Sequence, residues 1–184
     1  MESKNNHIQW KKIVHAIADK RDEEAFKTLF LHFYDDLTHF STSIIQDETI
    51  AEDLVAELMM KVWLMGENLL KVKNIKTYLF IAIKNLSLNV LAKNKVISST
   101  PLASYDLSTV NSPEEILIHK EITLHIDAVI EALPPKCKMA FILVKDNACS
   151  YKEAAAIMEV STNTIDRHIQ IALRKIQVAL EKIK

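Results

Sequence analysis

The chain has 184 residues, of which 49% are apolar, with a formal net charge of −1 and only one glycine and four prolines. A single glycine excludes a glycine-rich phosphate loop and a dinucleotide-binding fingerprint, and it leaves few of the positive-φ turns that hairpins prefer. The composition therefore predicts an all-α protein, built as one large domain or two small ones.

The net charge hides an uneven distribution along the chain. Residues 1–97 hold 13 basic and 13 acidic side chains, residues 98–133 hold one basic and six acidic, and residues 134–184 hold nine basic and five acidic. Local fields, rather than the total charge, decide where a polyanion binds. Nine basic against five acidic side chains leave +4 on the C-terminal block, which suits it to DNA, whereas the middle block is acidic.

The chain begins with a polar, charged stretch, residues 1–12, which is unlike a signal peptide. Its apolar runs are far shorter than the roughly 18 residues of a membrane span. The two cysteines, Cys137 and Cys149, have no second Cys or His at metal-ligand spacing. We therefore expect a cytoplasmic protein with reduced thiols, no membrane insertion and no zinc site.

Apolar residues at three- and four-residue spacing predict four helices in the first half of the chain. Their shared aromatic density predicts that they form one domain, residues 1–97. In order, the predicted helices are residues 8–17, a helix capped by Asp22 and apolar as far as Ile44, a helix opened by a Thr49–Glu52 capping box and stopped by Gly66, and residues 75–95.

The apolar pattern fails after this domain. Residues 98–111 are rich in polar and helix-breaking side chains, which predicts an extended, mobile linker. Ser112, Pro113 and Glu115 then combine a cap, a first-turn proline and a glutamate, which predicts a helix as far as Leu133. Pro134 and Pro135 end that helix and begin the next, so residues 112–184 form a second helical domain.

Two short helices near the C-terminus are separated by too few residues to lie antiparallel. Ser150 and Glu153 form a Ser-x-x-Glu capping box, and Ser161 is a second N-cap candidate. Polar side chains near the start of the second helix, on the side opposite Ile165 and Ile169, are typical of a DNA-reading helix-turn-helix. An αα-corner that only packs explains this segment equally well, so the segment alone leaves both interpretations open.

The pattern of titratable residues gives little support to catalysis. The seven histidines are scattered, and no pair has metal-ligand spacing with a glutamate between them. Adjacent carboxylates such as Asp35 and Asp36 diverge on a helix, so a solvated face explains them better than an acid–base pair. The sequence therefore predicts that the protein is not an enzyme and that it has no cofactor and no metal site.

The helix at residues 75–95 has a polar side made of lysines and amides. Lysines can hold phosphates, amides can read bases, and an exposed aromatic ring can stack on an unpaired base. A solvated face over core aromatics is equally compatible with this composition. The candidate nucleic-acid contacts on this helix are Lys76, Tyr78, Lys84, Asn85, Asn89 and Lys93.

Three motifs, in their order along the chain, resemble those of one known family. They are Ala51-Glu52-Asp53-Leu54-Val55-Ala56-Glu57 with Val62-Trp63, Tyr78-Leu79-Phe80-Ile81-Ala82-Ile83-Lys84-Asn85-Leu86, and Leu133-Pro134-Pro135-Lys136 leading into Ser150-Tyr151-Lys152-Glu153-Ala154-Ala155. Each alone is weak, because capped amphipathic helices are common, but all three at suitable spacing are specific. From about residue 23 to residue 180 the chain resembles an RNA polymerase sigma factor of the extracytoplasmic-function (ECF) type.

The resemblance implies a subunit without catalytic activity that binds core RNA polymerase and selects promoter DNA. In such factors the helix with the first motif docks on a coiled coil of the largest polymerase subunit. The following helix, here residues 74–95, melts and reads the minus-ten element. The residues that would bind polymerase here are Asp53, Leu54, Glu57 and Lys61.

The same resemblance assigns the minus-thirty-five element to the helix-turn-helix. It also implies that the acidic linker runs near the path of the nascent RNA, and that an anti-sigma protein sequesters the chain. The candidates for base contacts are Thr162, Asn163, Thr164, Arg167 and His168, and those for phosphate contacts are Lys152, Arg174 and Lys175.

Two positions depart from the family pattern. Glu159 stands at the helix-turn-helix turn, where the family usually has glycine, so a positive φ there would strain the backbone. The end of the minus-ten helix reads Ala92-Lys93-Asn94-Lys95, where the family is usually richer in arginine. We therefore expect a weaker grip on phosphates and a stronger dependence on polymerase.

Two other classes of protein share some of these features. A helix-turn-helix regulator that binds operator DNA without polymerase would have much the same output domain, but residues 1–97 lack the α/β pattern or ligand pocket of a sensor. An all-helical adaptor that binds only protein would have no use for the lysine and amide faces. Charge counting does not decide whether the two predicted domains pack against each other.

Overall fold

The computed structural model describes residues 2–97 and 126–181 of the chain. All regular structure in these two ranges is helical, which confirms the all-α prediction. The predicted linker at 98–111 and the start of the helix predicted at Ser112 lie outside the described residues. The helices are α1 (Glu2–Lys20), α2 (Glu23–Ile45), α3 (Glu48–Leu64), α4 (Ile75–Ile97), α5 (residues 126–131), α6 (Pro135–Phe141), α7 (Tyr151–Met158) and α8 (Thr162–Glu181).

The first residues of α2 and α3 show which capping residues begin these helices. Asp22 caps α2 as predicted, because its Oδ1 accepts the Ala25 N–H at 2.9 Å. The predicted Thr49–Glu52 capping box is wrong: α3 begins at Glu48, and Asp47 Oδ1 accepts the Ile50 N–H at 3.0 Å. An aspartate three residues before a free backbone N–H satisfies that donor directly, so the helix begins earlier than the serine- and threonine-based signal indicated.

The N-terminal helices enclose an aromatic core. Phe33, Phe40 and Phe80 are fully buried, and the rings of Phe40 and Phe80 meet edge to face with centroids 5.4 Å apart. Where α2 and α4 pack together, Ser41 and Ser87 are both buried and their hydroxyl oxygens lie 2.9 Å apart. The small serine side chains, each supplied with a hydrogen-bond partner, fit α4 against α2 without an unpaired polar atom at that point.

The helix-turn-helix is formed by α7 and α8. The Ser150–Glu153 capping box is present in both directions, as predicted, and the N–H of Val160 donates to the Ala155 carbonyl at 3.0 Å across the turn. Glu159 ends α7 in the left-handed region, with φ 56°. The family's usual glycine would adopt this conformation without strain. Glu159 therefore has a backbone conformation that its own side chain disfavours.

The N-terminal helices pack directly against the helix-turn-helix. The α4 helix contacts α7, and α2 contacts α6. Apolar side chains from both parts, including Leu79 and Ile83 of α4 and Ala154 and Ile157 of α7, belong to one continuous buried cluster. The helix predicted to read the minus-ten element therefore lies against the first helix of the predicted minus-thirty-five reader.

One segment of α4, Ile75–Lys93, is long and apolar enough to cross a membrane by length and composition alone. The core helix of a soluble protein passes the same test, and 33% of this segment is buried inside the protein. Leu79, Phe80 and Ile83 are fully enclosed by the surrounding helices. We therefore interpret α4 as a core helix whose inner face packs within the protein.

Candidate nucleic-acid and polymerase interface

The α8 helix has one buried side and one open side. Ile165, Ile169 and Ala172 are buried against the neighbouring helices. Between them, Arg167 and Gln170 are exposed, which is the arrangement a recognition helix requires. The predicted DNA contacts that are exposed here are Thr162, Asn163, Arg167, Arg174 and Lys175, with Lys152 exposed on α7.

Two of the predicted base contacts on α8 are half-buried and already have partners. The Thr164 hydroxyl lies 2.8 Å from the Ser161 hydroxyl, and the Thr164 N–H donates to Ser161 Oγ at 3.1 Å, which confirms Ser161 as the cap of α8. His168 Nδ1 lies 3.4 Å from the Sγ of Cys137. Burial, and then the positive charges of Lys136 and Arg167, lower the pKa of His168, so its ring is neutral at pH 7.

The predicted nucleic-acid contacts on α4 fall into two groups. Asn85, Asn89 and Lys93 are exposed and form an open polar side of the helix. Lys76 donates to the backbone carbonyl of Asn147, and the Tyr78 hydroxyl donates to the Met65 sulfur at 3.4 Å. Tyr78 is therefore half-buried rather than an open stacking surface in this arrangement.

Lys84 is buried between α4 and the helix-turn-helix turn. The residue is 6% exposed, and its Nζ lies 2.7 Å from Oε1 of Glu159. The hydrogen bond from Lys84, and then its positive charge, lower the pKa of Glu159. A buried ammonium is tolerated when it is paired in this way. The structure thus pairs Lys84 with a carboxylate at the place where the sequence predicted a phosphate contact.

Sequence reasoning missed two further polar contacts between the N-terminal helices and the helix-turn-helix region. Asn74 Nδ2 donates to Oε1 of Glu153 at 3.2 Å, and His39 Nε2 lies 3.6 Å from a carboxylate oxygen of Asp146. Burial alone would raise the pKa of Glu153, but hydrogen bonds from the backbone and side chain of Ser150 and from Asn74 lower it. No local pattern identifies these partners, because they are 79 and 107 residues apart along the chain.

The outer face of α3 carries the predicted polymerase contacts. Asp53, Glu57 and Lys61 are exposed, and Lys61 Nζ lies 2.5 Å from Oε1 of Glu57. Leu54, by contrast, is 8% exposed and lies in the hydrophobic core. A side chain buried there supports the helix, so any contribution of Leu54 to docking would come from positioning α3.

Two exposed apolar residues of α3 were absent from the sequence-based set. Met60 and Leu64 are 64% and 66% exposed. They follow Asp53 and Glu57 at intervals of three and four residues, so all four share one helix face. The signal was present in the sequence, since neither Met60 nor Leu64 falls on the buried stripe that includes Leu58 and Val62.

The part of the chain that the structure describes holds no cluster of three His, Cys, Asp or Glu side chains able to bind a metal ion. The candidate sites are instead helix faces. They are the open side of α8, the polar side of α4, part of which is exposed and part bound to other protein groups, and the outer face of α3.

Two family models match the chain. The Sigma-70 region 2 model matches residues 29–96, which span α2 to α4, and the Sigma-70, region 4 model matches residues 124–176, which include the helix-turn-helix. The first match covers the N-terminal helices, where the operator-binding alternative predicts no such domain. That alternative is therefore not favoured.

The curated relatives that the chain resembles are also sigma factors. The RNA polymerase sigma-H factor of Pseudomonas aeruginosa is 23% identical over 172 residues, covering 88% of this chain and 89% of that protein. The ECF RNA polymerase sigma factor SigM of Bacillus subtilis is 26% identical over 136 residues, covering 72% of this chain and 81% of that protein.

Two solved structures share the fold of this chain. One is the sigma factor RpoE in complex with the anti-sigma factor NepR from Bartonella quintana, with a TM-score of 0.67, 24% identity and coverage of 85% of this chain and 96% of that one. The other is CnrH in complex with the cytosolic domain of CnrY, with a TM-score of 0.65, 15% identity and coverage of 95% and 98%.

The fold and its two matched regions define the class as a sigma factor, a non-enzymatic subunit that acts with RNA polymerase. The chain belongs to the sigma-70 family and, within it, to the extracytoplasmic-function type.

Proposed function

We propose that the chain binds core RNA polymerase through the outer face of α3 and reads promoter DNA with two helices, α4 at the minus-ten element and α8 at the minus-thirty-five element. In this proposal residues 1–97 form the first functional domain, residues 98–111 a flexible linker and residues 112–184 the second domain. The observation that carries the proposal is the open polar side of α8, set opposite its buried apolar side in a helix-turn-helix whose two helices are N-capped by Ser150 and Ser161.

Base reading on α8 would fall first to Asn163 and Arg167, whose side chains are exposed near the start of the helix. Arginine binds guanine in two hydrogen bonds and asparagine binds adenine in the same way. Thr162, Thr164 and His168 would complete the base contacts. The phosphate contacts would come from Lys152, Arg174 and Lys175, which supply charge and register rather than sequence discrimination.

Minus-ten reading on α4 would begin with Asn85, Asn89 and Lys93, which are open to solvent. Lys76, Tyr78 and Lys84 would join them after their present partners are released. A single-stranded promoter segment needs both cationic and stacking contacts. The full minus-ten surface is therefore available only when α4 and the helix-turn-helix separate.

Polymerase docking would use the mixed face of α3. Asp53, Glu57 and Lys61 supply charge, while Met60 and Leu64 supply exposed apolar surface. Interfaces with an apolar centre and a charged rim are stable and specific. Leu54 is buried, so it would hold α3 in place rather than contact polymerase itself.

We also infer a protein partner and a cellular location. Two solved structures of the same fold are complexes, one of them with an anti-sigma factor. A partner of that kind would bind this chain by covering its polymerase or DNA surfaces. A protein that acts with polymerase on chromosomal promoters would lie in the cytoplasm.

Run-off transcription on genomic fragments, with core polymerase in the presence and absence of this protein, tests the proposal. We expect new transcripts with defined starts that core polymerase alone does not make. Glu57→Lys should reduce them by weakening docking on polymerase, while Glu67→Lys makes the same charge change on an exposed residue outside the α3 face. DNA binding without any new transcript would instead favour an operator-binding regulator.

A further inference from the structure

Arg21 joins the corner between α1 and α2 to the end of α3. Its φ of 53° lies in the left-handed region, where a side chain strains the backbone and glycine does not. The guanidinium Nη1 donates to the backbone carbonyl of Trp63, and Cζ lies 5.3 Å from the centroid of the Trp63 ring. The corner therefore carries an arginine where the backbone favours glycine, and this arginine makes two contacts with one residue of α3.

The carbonyl that Arg21 binds belongs to the last turn of α3, which ends at Leu64. The final carbonyls of a helix have no partner within the helix, and a positive charge is favoured at that end. The guanidinium also lies beside Gly66, where an added Cβ would be 3.9 Å from Cζ of Arg21. In addition, α1 packs against the 3-10 helix Gly66–Lys71. Arg21 therefore holds the point at which α3 ends and the chain turns.

The same turn of α3 carries the apolar part of the predicted polymerase surface. Met60 precedes Trp63 by three residues, Leu64 follows it directly, and both side chains are exposed. The Trp63 ring packs on Phe26 of α2, with the two centroids 5.0 Å apart. Trp63 is therefore held by both Phe26 and Arg21, and its position sets the direction of the exposed residues beside it.

We propose that Arg21 is a positioning residue for polymerase docking, which keeps Met60 and Leu64 in the orientation that polymerase binds. This inference rests on the proposed function of the outer face of α3. A surface already held in its bound conformation binds more tightly, because less conformational freedom is lost on association. Arg21 and α1 lie outside residues 29–96, the range that the Sigma-70 region 2 model matches. The contact therefore supports the docking face from outside the matched region.

Binding of the full-length protein to core polymerase tests this role in Arg21→Ala and Arg21→Gly. Both variants lose the guanidinium, but only glycine is unstrained at this φ, so Arg21→Gly should melt at a higher temperature than Arg21→Ala. We nevertheless expect both to bind polymerase about three- to tenfold more weakly than the wild type, the scale of one hydrogen bond. Lys20→Ala removes a neighbouring exposed positive charge and should leave the affinity unchanged.

Hydrogen exchange of the backbone amides in residues 60–68 gives a second readout, which needs no polymerase. Local opening of a helix end speeds the exchange of its amides without unfolding the rest of the protein. We expect faster exchange in this segment in both Arg21 variants, and unchanged exchange in α7.

Two results would overturn the positioning role. One is wild-type affinity for polymerase in Arg21→Ala. The other is recovery of binding in Arg21→Gly, because backbone strain rather than the guanidinium would then set the affinity. A wild-type protein that does not bind polymerase would instead contradict the proposed function, while the exchange rates would still show whether Arg21 holds the end of α3. The two failures are therefore distinguishable.

Discussion

The Sγ of Cys137 in α6 lies 3.4 Å from Nδ1 of His168 in α8, so a buried thiol contacts a candidate base-reading side chain. Burial raises the pKa of Cys137, which keeps the thiol protonated and able to donate to Nδ1. A neutral His168 ring that accepts at Nδ1 carries its own proton on Nε2. We therefore expect Cys137 to position His168.

Cys137→Ala should therefore reduce promoter discrimination at one base of the minus-thirty-five element, whereas Cys137→Ser, which keeps a donor, should retain most of it. A neutral hydrogen bond contributes about 0.5–1.5 kcal/mol, or roughly two- to tenfold in selectivity. Run-off competition between promoters that differ at single positions measures the effect. Equal losses in the two variants would mean that Cys137 only fills space.

Arg167→Ala should weaken recognition of one base pair, because Arg167 is exposed on the reading side of α8. Loss of a two-point contact to guanine costs about 1–3 kcal/mol and relaxes specificity at that position alone. Lys175→Ala is the matched control: it should weaken binding to all promoters alike and lower the salt dependence. Selectivity that stays unchanged in Arg167→Ala would exclude Arg167 from base reading.

Ser150→Ala should destabilise the helix-turn-helix, because Ser150 Oγ accepts the Glu153 N–H at 3.2 Å and Glu153 accepts the Ser150 N–H in return. Removing such a cap costs about 0.5–2 kcal/mol in the free energy of unfolding. Urea unfolding followed by circular dichroism measures it. Thr28→Ala removes an exposed hydroxyl inside α2 and should change the stability much less.

The Cys149 thiol should react slowly with alkylating reagents in the folded protein. Burial raises the pKa of Cys149 to about 11, so the reactive thiolate is scarce near pH 8. Because the folded state holds this proton more tightly than the unfolded chain, the related stability is full below the ordinary thiol pKa and is lost as the pH rises toward about 11.

Iodoacetamide labelling between pH 8 and pH 10, read by mass spectrometry, checks this prediction. The urea-unfolded protein should react at the rate of an ordinary thiol, and a Cys137→Ser variant isolates the signal of Cys149. Equal rates in the folded and unfolded protein at pH 8 would show that Cys149 is not protected.

Local sequence signals were sufficient to predict much of the fold. The cap at Asp22, the Ser150–Glu153 box and the helix start at Pro135 each involve residues within one turn of each other, so the sequence alone was sufficient to predict them. The same applies to the buried side of α8, since a three- and four-residue spacing defines a face without reference to any partner. At α3 two competing caps lay within two residues, and the geometry selected Asp47.

The amino-acid sequence by itself determined the helices, the helix-turn-helix, the polar faces and the family, because these follow from periodicity, capping and motif order. Only the tertiary structure decided that Leu54 is buried while Met60 is exposed, and that Lys84 meets Glu159 across 75 residues of sequence. Such contacts depend on how two helices cross, and local composition does not set that crossing. The sequence alone did not explain why Glu159 stands at a left-handed turn that favours glycine. The tertiary structure does, because Glu159 pairs with Lys84 of α4 there.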